Sequence, residues 1–108
     1  MRSQTKTLPI RLRKPVSALG KRLADARVAR KISQSLMAER CAVGRVTISK
    51  LENGDPSVSM ETLFRYLGVL GLEGDIDLLA GNDKVGHELA MAQLSRKGRK
   101  PTKHAVSR

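Results

Sequence analysis

Apolar residues along this chain of 108 follow helical spacing for most of its length. Val16, Leu19, Leu23 and Ala26 stand at steps of three, four and three, which predicts a helix to about Arg30. Pro15 suits its first turn. Ile32 closes the connection and Ser33 caps a second helix, with Leu36 and Met37 facing inward. Val43 anchors a turn, and Gly44 opens a third helix whose inner side carries Ile48 and Leu51. Asn53-Gly54 is a strong stop. Ser59 caps a fourth helix, with Glu61 near its positive end, and Met60, Leu63, Leu67 and Leu70 form its buried stripe before Gly71 ends it. Asn82 or Asp83 caps a last amphipathic segment, Val85 to about Ser95, with Leu89, Ala92 and Leu94.

Two stretches depart from this rhythm. Leu8, Ile10 and Leu12 alternate, which predicts a strand over 7–13 that Pro9 confines to an edge. Such a strand is either disordered or pairs with a second subunit. Residues 74–81, GDIDLLAG, alternate like a strand yet also suit a short helix. Gly68 costs its helix about 1 kcal/mol relative to Ala, so a close packing partner is expected there. Beyond Ser95 there is no periodicity, and a disordered tail is expected. The expected organisation is a basic arm over 1–14, a folded body over 15–81, a terminal helix over 82–95 and a basic tail over 96–108.

Charge sharpens this division. The formal net charge is +11. Residues 1–16 carry five basic groups and no acid, and residues 95–108 carry six and no acid. Within the body, residues 17–54 hold eight basic and three acidic groups, and residues 55–94 hold two basic and seven acidic. Basic tails alone are weak evidence, but a polarised body suggests that one half faces a polyanion.

Residues 33–54 explain which polyanion. They read as a capped helix, a tight turn and a second helix, the arrangement that sets a helix into a DNA major groove. The outer face of the third helix carries Arg45, Val46, Ser49 and Lys50. An Arg in the first turn can reach guanine, a Val can meet a thymine methyl, and Lys50 can read a base or neutralise a phosphate. Spacing alone also allows an ordinary solvated face.

Residues 17–72 resemble the Cro/C1-type, or Xre, helix-turn-helix family of phage and bacterial repressors. The resemblance rests on Ser33-Gln34, on the run from Thr47 to Gly54 (TISKLENG), and on PSVSMETL from Pro56 to Leu63. It implies an all-α, five-helix, lambda-repressor-like domain, here with a short N-terminal strand and basic flexible tails. It implies that Arg45, Val46, Ser49 and Lys50 face bases. Gln34, Thr47, Asn53 and Arg27 are implied at the DNA backbone, with Gln34 also able to reach a base edge. Arg27 is further implied to pair with Glu52. Three positions depart from the family pattern: Ala42 and Lys31 stand where glycine is usual, and Gly44 replaces a Ser or Thr cap. An Ala in a left-handed turn is disfavoured by roughly 1–2 kcal/mol, which puts the turn geometry in question.

Members of the family bind palindromes as homodimers. The LRKP run from Leu12 to Pro15 and the segment from Leu70 to Lys100 also resemble HipB-type antitoxins, which repress their own operon and bind a HipA-type kinase toxin. That resemblance implies an autoregulatory antitoxin in the cytoplasm. The other readings are a phage or chromosomal repressor without a toxin, and a non-specific architectural protein using its tails. No transmembrane stretch or secretion signal is apparent, so a soluble intracellular protein is expected. No enzyme activity, cofactor or metal is expected. His87 and His104 lack ligand partners, Asp75 and Asp77 read as solvated or capping groups, and the lone Cys41 reads as a small buried residue. Phe64 and Tyr66, the only aromatics, do not make a stacking platform for single strands.

Overall fold

Four of the helices end by the same device. The computed structural model describes residues 8–97. Its helices are α1 (Ile10–Ala29), α2 (Gln34–Cys41), α3 (Arg45–Glu52), α4 (Met60–Leu70), a 3₁₀ helix (Glu73–Leu78) and α5 (Lys84–Lys97), with no strand among the described residues. At the end of α1, Lys31 N–H donates to the Val28 carbonyl and Ile32 N–H to that of Arg27. Ala42 and Val43 repeat the pattern after α2, Gly54 and Asp55 after α3, and Gly71 and Leu72 after α4. This is a Schellman ending, which needs a left-handed residue. Gly54 and Gly71 take that conformation freely, while Lys31 (φ 58°) and Ala42 (φ 60°) take it against steric preference. Ala42 therefore leaves the turn in its usual geometry rather than altering it.

The starts of α2 and α4 are capped as the sequence predicts. Ser33 Oγ accepts from Leu36 N–H at 3.0 Å, and Ser59 Oγ from Thr62 N–H at 3.1 Å. Gly44 begins α3 with no side-chain cap. Asp83 caps α5, accepting from Gly86 N–H at 2.9 Å.

The segment 7–13 is not a strand. Residue 7 lies outside the described residues, Leu8 and Pro9 are irregular, and α1 already begins at Ile10. A lone strand has no partner for its backbone groups, whereas a helix satisfies them locally. Leu12 N–H closes the first turn on the Pro9 carbonyl, and Arg13 Nε donates to the Leu8 carbonyl at 2.8 Å. Pro15 thus lies inside α1 rather than at its start. It cannot donate to the Arg11 carbonyl, but that turn is exposed and water can serve it. The stretch 74–81 resolves into the 3₁₀ helix and a turn containing Ala80 at φ 58°.

The described residues divide into two compact units, with the boundary between Glu73 and Gly74. In the first, α3 packs on α1 and α2, and α4 packs on the same two helices. Met37, Cys41, Ile48 and Tyr66 are fully buried, with Leu23, Leu67 and Leu70 around them. The stripe on α4 is Thr62, Tyr66, Leu67 and Leu70. Met60 does not belong to it and is 68% exposed. Helical side chains lean toward the N-terminus, so a first-turn side chain leans off the end. Gly68 is exposed and an added Cβ would meet nothing within 4 Å, so no element packs closely there. The close approach is at Gly20, whose added Cβ would lie 2.6 Å from the Glu52 carbonyl oxygen.

In the second unit, α5 does not bury the face expected of it. Leu89 and Ala92 are exposed, and only Leu94 of the expected face is half-buried, in line with Gly86 and Ala90.

Candidate nucleic-acid interface

The third helix has the two faces that its sequence requires. Ile48 and Leu51 are buried and fasten it to α1 and α2. Arg45, Val46 and Lys50 are exposed, and Thr47 and Ser49 are half-buried. Val46 is 67% exposed, too open for a residue holding the helix in place. Arg45 occupies the first turn and Lys50 the last, with Asn53 exposed just beyond. Gln34 begins α2 and is half-buried.

The helix is held by its last residue. The Glu52 side chain is 6% exposed, and an uncompensated carboxylate there would be costly. Arg27 on α1 meets it with two parallel bonds, Nε to Oε2 at 2.6 Å and Nη2 to Oε1 at 3.0 Å. A third Arg27 bond runs from Nη1 to the Ile32 carbonyl at 2.7 Å. Gln34 Nε2 donates to Oε1 at 3.0 Å, and the Tyr66 hydroxyl donates to Oε2 at 2.5 Å. One carboxylate therefore gathers donors from α1, α2 and α4. Burial pushes its pKa up, but the bonds from Arg27, Tyr66 and Gln34 outweigh this and hold it below the usual carboxylate value. The hydrogen bond to Glu52 raises Arg27 in turn, against the effect of burial. Burial first, then Glu52, keeps the Tyr66 hydroxyl protonated far into alkali.

This cluster corrects one expectation. Arg27 was expected both at the DNA backbone and in the ion pair. It is 9% exposed, and its three bonds to Glu52 and to the Ile32 carbonyl commit the guanidinium to the ion pair. Two contributors escape a reading of the sequence. Tyr66 falls on the buried stripe of α4, and a buried tyrosine needs a partner for its hydroxyl; that partner lies 14 positions away on another helix. Gly20 sits at helical spacing with Leu23, but nothing local marks it as the point where α1 crosses the end of α3.

Beside Glu52 lies a cleft of about 380 Å³ whose lining includes Ser17, Lys21, Asp25, Gln34, Ser49 and Asn53. Lys21 and Asp25 form an exposed pair at 3.6 Å. Of the residues expected at DNA, Gln34 of α2, Ser49 of α3 and Asn53 just beyond it thus share one cleft. Among the described residues no cluster of His, Cys, Asp or Glu could hold a metal ion, and no helix is long and apolar enough to cross a membrane. His104 lies outside the described residues.

A helix-turn-helix family model matches residues 23–76, from within α1 to the 3₁₀ helix. The chain belongs to this family, the Xre/Cro-C1 type, and its all-α fold is that of a lambda-repressor-like domain. It is a DNA-binding transcription regulator. No curated protein and no solved structure matches the chain.

Proposed function

We propose that the protein is a sequence-specific transcriptional repressor that binds a palindromic operator as a symmetric dimer, with α3 of each copy in the major groove. The observation that carries this reading is the division of α3: Arg45, Val46 and Lys50 stand open while Ile48, Leu51 and Glu52 are fixed from behind. Side chains on a held helix can discriminate bases, because they do not lose that geometry on binding. Glu52 does not repel the phosphates, since Arg27 neutralises it internally.

Two half-sites would lie about one helical turn apart, ~34–36 Å. Arg45, Val46, Ser49 and Lys50 read bases in this proposal, Thr47 and Asn53 set the register, and Gln34 stands within reach of the backbone or of a base edge. The acidic stretch 55–94 is left for protein contacts, including the second copy. The resemblance of residues 70–100 to HipB-type antitoxins extends the proposal to repression of a toxin operon and binding of a HipA-type kinase. Protection of the gene's own promoter by the purified protein tests the repressor reading; a symmetric footprint supports it, and uniform coverage of any DNA opposes it. Co-purification with a kinase encoded by a neighbouring gene tests the antitoxin reading.

A further inference from the structure

Gln34 has a hidden support on α4, the helix that follows α3. Tyr66 is 0% exposed on α4, and its hydroxyl oxygen lies 2.5 Å from Glu52 Oε2 and 3.1 Å from the Leu23 carbonyl oxygen. The hydroxyl has one proton, which goes to the nearer, charged acceptor. The other carboxylate oxygen accepts from Gln34 Nε2. An ionised carboxylate only accepts, so the amide nitrogen of Gln34 must face Glu52 and the amide oxygen must turn away. Gln34 shares its cleft with Ser49 and Asn53 of the reading surface. The orientation of this amide is therefore decided by where the carboxylate is held.

We propose that Tyr66 is a positioning residue for DNA reading: its hydroxyl holds the Glu52 carboxylate where it orients the Gln34 amide. Gln34 then meets DNA with its carbonyl oxygen and its remaining N–H. An acceptor beside a donor suits a base edge, whereas a phosphate offers only acceptors. This inference rests on the reading of the protein as a sequence-specific repressor, and assigns part of that specificity to a residue that touches no DNA.

The test uses the full chain and an operator that the wild-type protein selects from random duplexes. Affinities for the operator and a scrambled duplex are measured for the wild type, for Tyr66→Phe and for Leu70→Val, at a temperature where circular dichroism shows all three folded. Tyr66→Phe keeps the ring and removes the donor. It is expected to weaken operator binding about five- to tenfold, the net worth of one ordinary hydrogen bond, and to leave the scrambled duplex unchanged. The Gln34 side-chain amide signals in nitrogen-15 NMR should shift in the same variant. Leu70→Val trims the same helix without touching Glu52, and should lower the melting temperature while leaving the ratio and the amide signals alone. Tyr66 is the only tyrosine in the chain, so growth on 3-fluorotyrosine replaces it alone and keeps a donor; that protein should retain the wild-type ratio. In a Gln34→Ala background, Tyr66→Phe should change the ratio no further. A wild type that selects an operator, with Tyr66→Phe showing the same ratio and unmoved Gln34 signals, overturns this proposal alone. A wild type that selects no operator overturns the repressor reading and this one together.

Discussion

Gly20 of α1 lies against Glu52 of α3 so closely that a Cβ on Gly20 would stand 2.6 Å from the Glu52 carbonyl oxygen. The same Cβ would stand 2.8 Å from the backbone nitrogen of Gly54. Gly54 returns the approach: its own Cβ would lie 2.8 Å from Ser17 Cα. Two glycines let α1 cross the end of α3 backbone to backbone. This brings the Arg27 guanidinium within reach of the buried carboxylate.

Gly20→Ala should therefore cost more than an ordinary surface change, although alanine favours the helix itself. The obstructing atoms are backbone and cannot rotate away, so about 1–3 kcal/mol of overpacking is expected. Chemical denaturation would measure it. An unchanged midpoint would mean that α1 and α3 are less tightly apposed than their geometry here.

Breaking the Arg27–Glu52 pair should be more damaging. Removing one partner leaves a buried charge uncompensated, at about 3–5 kcal/mol. A small domain holds only about 5–15 kcal/mol in total. Arg27→Met is expected to melt far below the wild type. The pair also sets the response to pH. Glu52 titrates below its ordinary 4.5 in the folded chain, so the unfolded chain takes up the proton first. Its stabilisation is present above pH 4.5 and is lost as the pH falls further. Tyr66 is raised above its ordinary 10.0, so its contribution is full below pH 10 and is lost progressively as the pH rises from there toward its higher folded value. Melting temperatures should lie flat from roughly pH 5 to 9 and fall on both sides. Retention of the full melting temperature at pH 3 would contradict the assignment.

Two helix ends store strain that glycine would release. Lys31 and Ala42 occupy the left-handed position of Schellman endings. Lys31→Gly and Ala42→Gly should each stabilise the fold by about 1 kcal/mol. Thermal melting would show each as a rise of about 4–8 °C. Gly54→Ala, at φ 78° and against Ser17, should do the reverse.

Much of this architecture could be read from local chemistry. Ser33 and Ser59 announce helix starts because a hydroxyl there can accept a free amide, and Asn53-Gly54 and Gly71 announce ends because glycine turns left without strain. Those signals act within a few residues. The errors came from facts that lie elsewhere in the chain. Leu8, Ile10 and Leu12 alternate, but a strand needs a partner and none is available among the described residues. Met60 keeps the spacing of its stripe and fails only because it stands at the helix tip. Gly68 and Gly20 look alike in sequence, and only the crossing of α1 with α3 distinguishes the idle glycine from the necessary one. Arg27 and Glu52 were drawn together by family resemblance, whereas Tyr66 had no such cue. For the residues expected at DNA the sequence picked out one face of the third helix, and Arg45, Val46 and Lys50 are exposed on α3.

The central claim is that this outward face reads sequence while the basic arms supply affinity for any DNA. The most direct measurement is the ratio of operator to scrambled-duplex affinity for Arg45→Ala, for Lys50→Ala and for a chain ending at residue 95. Each point substitution should cost about 1–3 kcal/mol on the operator if it reads a base, and little on scrambled DNA. The truncation should weaken both duplexes alike and flatten the salt dependence. An operator preference that survives both substitutions and disappears on truncation would contradict the account.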